Sequence, residues 1–213
     1  MAQEEVESQA VGASYASLAN DLYAKKDVTA MLACGVTGVD HHRREAERLA
    51  ASDAERSRAH RLAAKNLAYN VAANCWPGWG DEGVLIDAAH IEDGLALAQA
   101  SLDDVRELDL GDVPLGTAHW LIGALDLAAG RAQAALTSFA RSRASYLAAR
   151  EPVKVLLVDG YLALARSMSE DGTLDEAPLD EAIAHLQREG SKEARGFAAQ
   201  LRTAARILRE RRV

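Results

Sequence analysis

The run Trp76-Pro-Gly-Trp-Gly-Asp-Glu-Gly83 gathers two of the chain's three tryptophans beside two carboxylates. Indole faces attract cations and exposed loops carry function, so these residues could form an aromatic lip over a groove. Trp76 and Trp79 would then be anchors, and Asp81 and Glu82 would meet a basic or amine-bearing ligand. The same run could instead be a long turn plugged into the fold by its tryptophans, with Asp81 or Glu82 capping the next helix. It is no phosphate loop, because the lysine and hydroxyl of such loops are missing and its charge has the wrong sign.

Just upstream, Asn66, Asn70 and Asn74 recur at four-residue spacing, with Lys65 and Tyr69 beside them. Residues so spaced share one side of a helix, where asparagine is a poor interior choice. Their amides could hydrogen-bond an extended peptide, bridge to neighbouring helices or face water, and Asn74 reads as a helix C-cap. His41 and Glu45 lie one turn apart and could begin a metal site, but no third ligand is identifiable, so a solvated face is expected. Asp87 and His90 share a face at three-residue spacing. A carboxylate orienting an imidazole is half of a catalytic pair; without a specified nucleophile, a helical ion pair is the simpler reading. His119 and Trp120 either line the same groove or pack where two helices cross.

These residues need helices to position them. The periodicity predicts about nine, with no strand, Val153–Val158 being the start of a buried helix. The first runs from near Val6 to Lys26 and the second from Asp27 to about Ala51. Ser52-Asp-Ala-Glu55 has capping-box spacing and opens a third, ending near Asn74. After the tryptophan-rich break, a fourth runs from about Val84 to Leu108. Asp112 is a plausible cap for the fifth, with Pro114 in its first turn; that helix ends at Gly130. The sixth, Arg131–Arg150, carries the apolar stripe Leu136, Phe139, Ala140, Ala144, Leu147, expected to face the core. A seventh begins at Pro152, and the polar connector Thr173–Pro178 leads to a short eighth ending at Gly190. The last, Ser191 to about Arg211, carries Ala194, Phe197, Ala198, Leu201, Ala205 and Leu208, a stripe that should dock on the preceding pair.

Composition agrees with helix on helix. Of 213 residues, 49% are hydrophobic but only 5% aromatic, and there are four prolines. Alanine and leucine dominate, and alanine lets helices approach closely at no side-chain entropy cost. The net charge of −8 disfavours nucleic acid as a partner. Arg206, Arg209, Arg211 and Arg212 complement a closing helix dipole. Cys34 and Cys75 lack metal spacing and read as reduced, buried small hydrophobes. The acidic, polar Met1–Gln9 is unlike a signal peptide, and no apolar run of about 18 residues predicts a membrane span. A cytoplasmic protein is the simplest expectation, with no cofactor and no metal.

Gly116–Ala149 carries a family-like pattern. Trp120, Ile122 and Gly123 sit on one helix, Gly130 follows at the turn, and Ala135 and Phe139 come on the next. This resembles a tetratricopeptide repeat: a small residue where two helices cross, a turn glycine, then alanine and an aromatic. Trp120 is one residue closer to the glycine than the family's tryptophan, Asp126 stands where an aromatic is usual, and Leu147 where a proline often closes the unit. Leu67–Asn74 echoes Gly123–Gly130, Gly160–Ala165 with Leu179–Ile183 looks like a third unit, and Leu22–Asp27 like the turn of a first.

The resemblance implies an all-α, right-handed stack of antiparallel helix hairpins, a TPR-like α-solenoid. It would form one domain over 1–213, with pairs 6–51, 52–108, 114–150 and 152–190 and a terminal helix 191–211. It also implies binding of a peptide or protein along a concave face. A scaffold whose groove is bordered by Trp76–Gly83 is therefore the leading expectation, with no catalytic residues. One alternative is a small-molecule sensor or enzyme with a pocket around His90, Asp87, Asp81 and Glu82. Another is an oligomerisation module whose terminal helix pairs with a second copy.

Overall fold

The computed structural model describes residues 14–169 and 176–211. These residues are all-α, with no strand among them. The helices are α1 (residues 14–24 of the described range), α2 (Val28–Leu49), α3 (Ala54–Asn74), α4 (Ala88–Glu107), α5 (Asp112–Ala128), α6 (Ala132–Ala148), α7 (Pro152–Ser167), α8 (Ala177–Glu189) and α9 (Lys192–Glu210). A single 3₁₀ turn, Pro77–Trp79, lies between α3 and α4. Two compact units result. Unit 1 comprises the described residues up to Cys75 together with Gly83–Asp109, and unit 2 comprises Trp76–Glu82 together with the described residues from Leu110 onward.

Three helix junctions have one geometry. At α1–α2, α5–α6 and α6–α7 the residues Lys26, Gly130 and Arg150 take φ of 66°, 78° and 58°. Each donates its N–H to the carbonyl three residues back, and the next residue's N–H reaches the carbonyl one residue earlier still: Asp27 to Leu22, Arg131 to Asp126, Glu151 to Tyr146. This is the Schellman arrangement, and the second donor is at once the N-cap of the following helix. A left-handed residue leading straight into a new N-cap folds the chain back within two residues.

Contact registers show that these neighbours run antiparallel. In unit 1, a Cβ at Gly35 would lie 2.6 Å from Val71, and one at Gly38 2.6 Å from Leu67. His42 faces His60, and Ser57 Oγ donates to the Ala46 carbonyl at 2.7 Å. α4 returns along α3, with Ser101 Oγ donating to the Lys65 carbonyl. In unit 2, a Cβ at Gly123 would lie 2.8 Å from the Phe139 ring, so the crossing expected from their spacing is present. Further along, Ser142 Oγ donates to the Gly116 carbonyl at 2.7 Å. The α9 stripe docks on α7 and α8 through buried Ala194, Ala198, Leu201, Ala205 and Leu208.

The apolar stripe of α6 does not face the core. Of its residues only Phe139 is buried, whereas Ala140 and Ala144 are exposed and Leu147 is 52% exposed. The buried face is Ala135, Ser138, Phe139, Ser142, Ser145 and Tyr146. Small serines let α6 approach α5 closely, and Ser142 satisfies its hydroxyl on the α5 backbone, so the close crossing outweighs the larger apolar area.

Several helix ends differ from expectation for local reasons. Asp53, not Ser52, caps α3, accepting from the Arg56 N–H at 3.0 Å. Residues 84–87 stay outside α4 because Asp87 caps it. Gly111 at φ 83° is the N-cap of α5, and Asp112 is its first residue. Cys75 rather than Asn74 is the C-cap of α3. Gly160 packs against Leu201 of α9, so its crossing partner is not the Leu179–Ile183 helix. The expectations for Val6 and Thr173 fall outside the described residues.

Candidate binding groove

The tryptophan-rich run folds into unit 2. Trp76 is fully buried and meets Trp79, Trp120 and Tyr161 at ring centroid distances of 4.7, 5.4 and 5.8 Å, two of them edge-to-face. Edge-to-face packing sets the positive rim of one ring on the negative face of another. Tyr161 also stacks on Phe139 at 5.3 Å and receives a hydrogen bond from Gln200 Nε2. Trp76 therefore cannot be part of an exposed lip; of the two loop tryptophans Trp79, 37% exposed, reaches the surface. Asp81 and Glu82 are exposed, but the cap of α4 is Asp87 rather than either of them. His119 and Trp120 are buried on α5 and present nothing to a ligand.

The asparagine line lies on unit 1. Asn66 and Asn70 are exposed, Lys65 Nζ donates to Asn66 Oδ1 and stands 5.5 Å over the Tyr69 ring, and Asn74 Nδ2 donates to Met31 Sδ. Burial pulls the Lys65 ammonium below its usual range.

His90 reveals a partner the sequence did not suggest. Its Nε2 lies 2.9 Å from Thr29 Oγ1, and its Nδ1 lies 3.3 Å from Asp87 Oδ1. Hydroxyl, imidazole and carboxylate in line have the outline of a nucleophilic triad. The tautomer argues otherwise. The Asp87 backbone N–H donates to His90 Nδ1 while Asp87 Oδ1 accepts from the His90 backbone N–H, a reciprocal capping box. A bare Nδ1 leaves the proton on Nε2, which then donates to Thr29 and cannot take the hydroxyl's proton. The cluster is a helix cap.

A concave apolar surface does exist in unit 2. A groove of about 680 Å³ has α7 as its floor and α6 and α8 as walls. Ala140, Arg143, Ala144 and Leu147 line one wall, and Pro178, Glu181, Ala182 and His185 the other, both at helical one-face spacing. Leu156, Asp159, Leu162, Ala163 and Arg166 form the floor. From Leu156 to Arg166 the floor is about 15 Å long at the α-helical rise. Arg143 Nε donates to Asp159 Oδ1 at 2.6 Å, and that bond holds the guanidinium's proton more firmly than usual. Glu181 and His185 approach to 3.8 Å on the far wall, and Arg166 has no ion-pair partner among the described residues. No family model, curated protein or solved structure matches the chain.

Unit 1 has a concavity of different chemistry, about 380 Å³ lined by Arg43, Glu47, Arg61, Asp103, Asp104 and Glu107. Arg43 pairs with buried Asp104 at 3.0 Å and Arg61 with Glu107 at 2.9 Å, so its guanidinium groups are already engaged. Burial raises the Asp104 carboxyl despite Arg43. The face expected to be solvated is not: His41 and Glu45 are half-buried, His41 packs on Tyr15 and His42, Glu45 is held by Arg48 at 2.7 Å, and no group of three or more potential metal ligands occurs among the described residues. Cys75 is buried and its thiol is pushed up to about 12, whereas Cys34 is half-buried. The Arg143–Arg166 groove lining was not singled out from the sequence. Its one signal was the α6 stripe, whose period was visible but whose direction was not.

Proposed function

We propose that this chain is a peptide- or protein-binding helical scaffold that holds a short helical segment in the groove of α6, α7 and α8. The observation carrying this reading is the outward turn of the α6 stripe. A helix that buries serines while leaving Ala140, Ala144 and Leu147 in a groove leaves apolar surface uncovered, and such surface marks binding sites. Alanines on the wall leave room for a partner's side chains. The floor length matches about ten residues of helix, and a helix-in-groove contact would be read through the partner's i, i+3, i+4 and i+7 anchors.

The recurrent Schellman junctions and the glycine-to-aromatic crossing of α5 and α6 support the wider proposal of a tetratricopeptide-like right-handed stack of hairpins. The expectation of a basic partner rested on Asp81 and Glu82, whereas the groove carries both signs. Its occupant is accordingly defined by an apolar stripe more than by net charge.

The reading is tested by display selection from a random peptide library, with the wild-type chain as bait and Ala144→Trp as counter-bait. Ala144 is exposed, so the indole fills the groove without entering the core. Peptides with helically spaced apolar residues should be enriched on wild type and absent from the variant. Peptides retained equally by both baits would place binding elsewhere. Self-association abolished by Ala144→Trp would instead make a second copy the occupant.

A further inference from the structure

The register of α2 on α3 in unit 1 sets His42 opposite His60, with Nδ1 to Nδ1 at 3.0 Å and both residues only 6% exposed. A bond of this kind requires one ring to donate and the other to offer a lone pair, so the two share a single Nδ1 proton and the accepting ring must be neutral. A proton added to the accepting nitrogen turns the bond into two N–H groups facing each other inside the hairpin. We propose that the His42–His60 pair is an acid-sensitive latch, holding α2 against α3 while both rings are neutral and releasing the hairpin when they take up protons.

The surroundings favour the neutral pair. Neighbouring His41 adds a like charge when protonated, and Arg48 on α2 and Arg56 on α3 oppose protonation of His60. Glu45 on α2 alone favours a charged His60, but its carboxylate is committed to Arg48 by hydrogen bonds of 2.7 and 3.1 Å. From α1 the Tyr15 ring contacts His41 at 5.8 Å and brings no charge. Burial, His60 and His41 together lower His42 to about 4, and burial lowers His60 as well. The sign follows from linkage. A folded-state value below the unfolded one, about 6.5, means that the unfolded chain binds more protons between the two. Stability is complete above about pH 6.5 and is lost as pH falls through the window down to about 4.

The test uses the full chain. Histidine ring resonances report each protonation, and amide hydrogen exchange, corrected for its intrinsic pH dependence, reports hairpin opening. His42 should stay neutral well below pH 6 and His60 should titrate below its ordinary range, while exchange in α2 and α3 becomes at least tenfold faster at pH 5 than at pH 7. In His42→Asn/His60→Asn, where two amides can replace the imidazole bond, that acceleration should shrink to threefold or less. Rings that titrate near 6.5 with unchanged exchange would overturn the proposal, as would a double variant as acid-sensitive as wild type. Should the double variant fail to fold, the wild-type ring titration decides alone.

Discussion

At the residue scale, burial separates side chains that build the fold from those that can meet a partner. Trp76 is enclosed by Trp79, Trp120 and Tyr161, so Trp76→Ala should leave a large cavity and cost about 3–5 kcal/mol of unfolding free energy. Trp79 is partly exposed, and Trp79→Ala should cost clearly less. Chemical denaturation followed by circular dichroism distinguishes them, and equal losses would contradict this assignment. Asp87 gives a second check, since its carboxylate caps α4. Asp87→Ala should lower stability by about 1 kcal/mol, as loss of an N-cap does. The sequence showed Asp87 and His90 on one face but not what the spacing served, because a cap and a catalytic pair use the same two residue types. Thr29 lay hidden for a plainer reason: its meeting with His90 depends on how α2 packs on α4.

At the element scale, the junctions show how much of the hairpin pattern a chain can encode without glycine. Gly130 was legible as a turn because only glycine takes φ 78° without cost. Lys26 and Arg150 adopt the same conformation at the same place and gave no such sign. Relieving their left-handed strain predicts that Lys26→Gly and Arg150→Gly each raise stability by about 1 kcal/mol, measured by denaturant midpoint at unchanged m-value. Gly130→Ala should lower it by a similar amount, and since nothing lies within 4 Å of a Cβ there, the loss would be backbone strain alone. The α6 stripe teaches the opposite lesson. Its period was readable and its direction was not, because periodicity locates an apolar face without saying which neighbour covers it. Serines at a close crossing look polar in a sequence, yet Ser138, Ser142 and Ser145 form the buried side.

At the scale of the molecule, helix content and most helix boundaries were legible, because capping residues, prolines and turn glycines act locally. The compact units were not, since Trp76–Glu82 belongs with the residues from Leu110 onward although the chain on either side of it belongs to unit 1. Long-range aromatic packing decides that, and no local pattern announces it. The groove of α6, α7 and α8 was not legible: the sequence pointed to a groove bordered by Trp76–Gly83, and these walls emerged only once α6 and α8 were seen to flank α7. The central claim, that this groove takes a helical segment, is tested most directly by titrating a selected peptide calorimetrically into wild type and into Ala144→Trp, each first shown to unfold at the same denaturant midpoint. A peptide held in this groove should bind the variant at least tenfold more weakly. Equal affinity for the two proteins would contradict the claim.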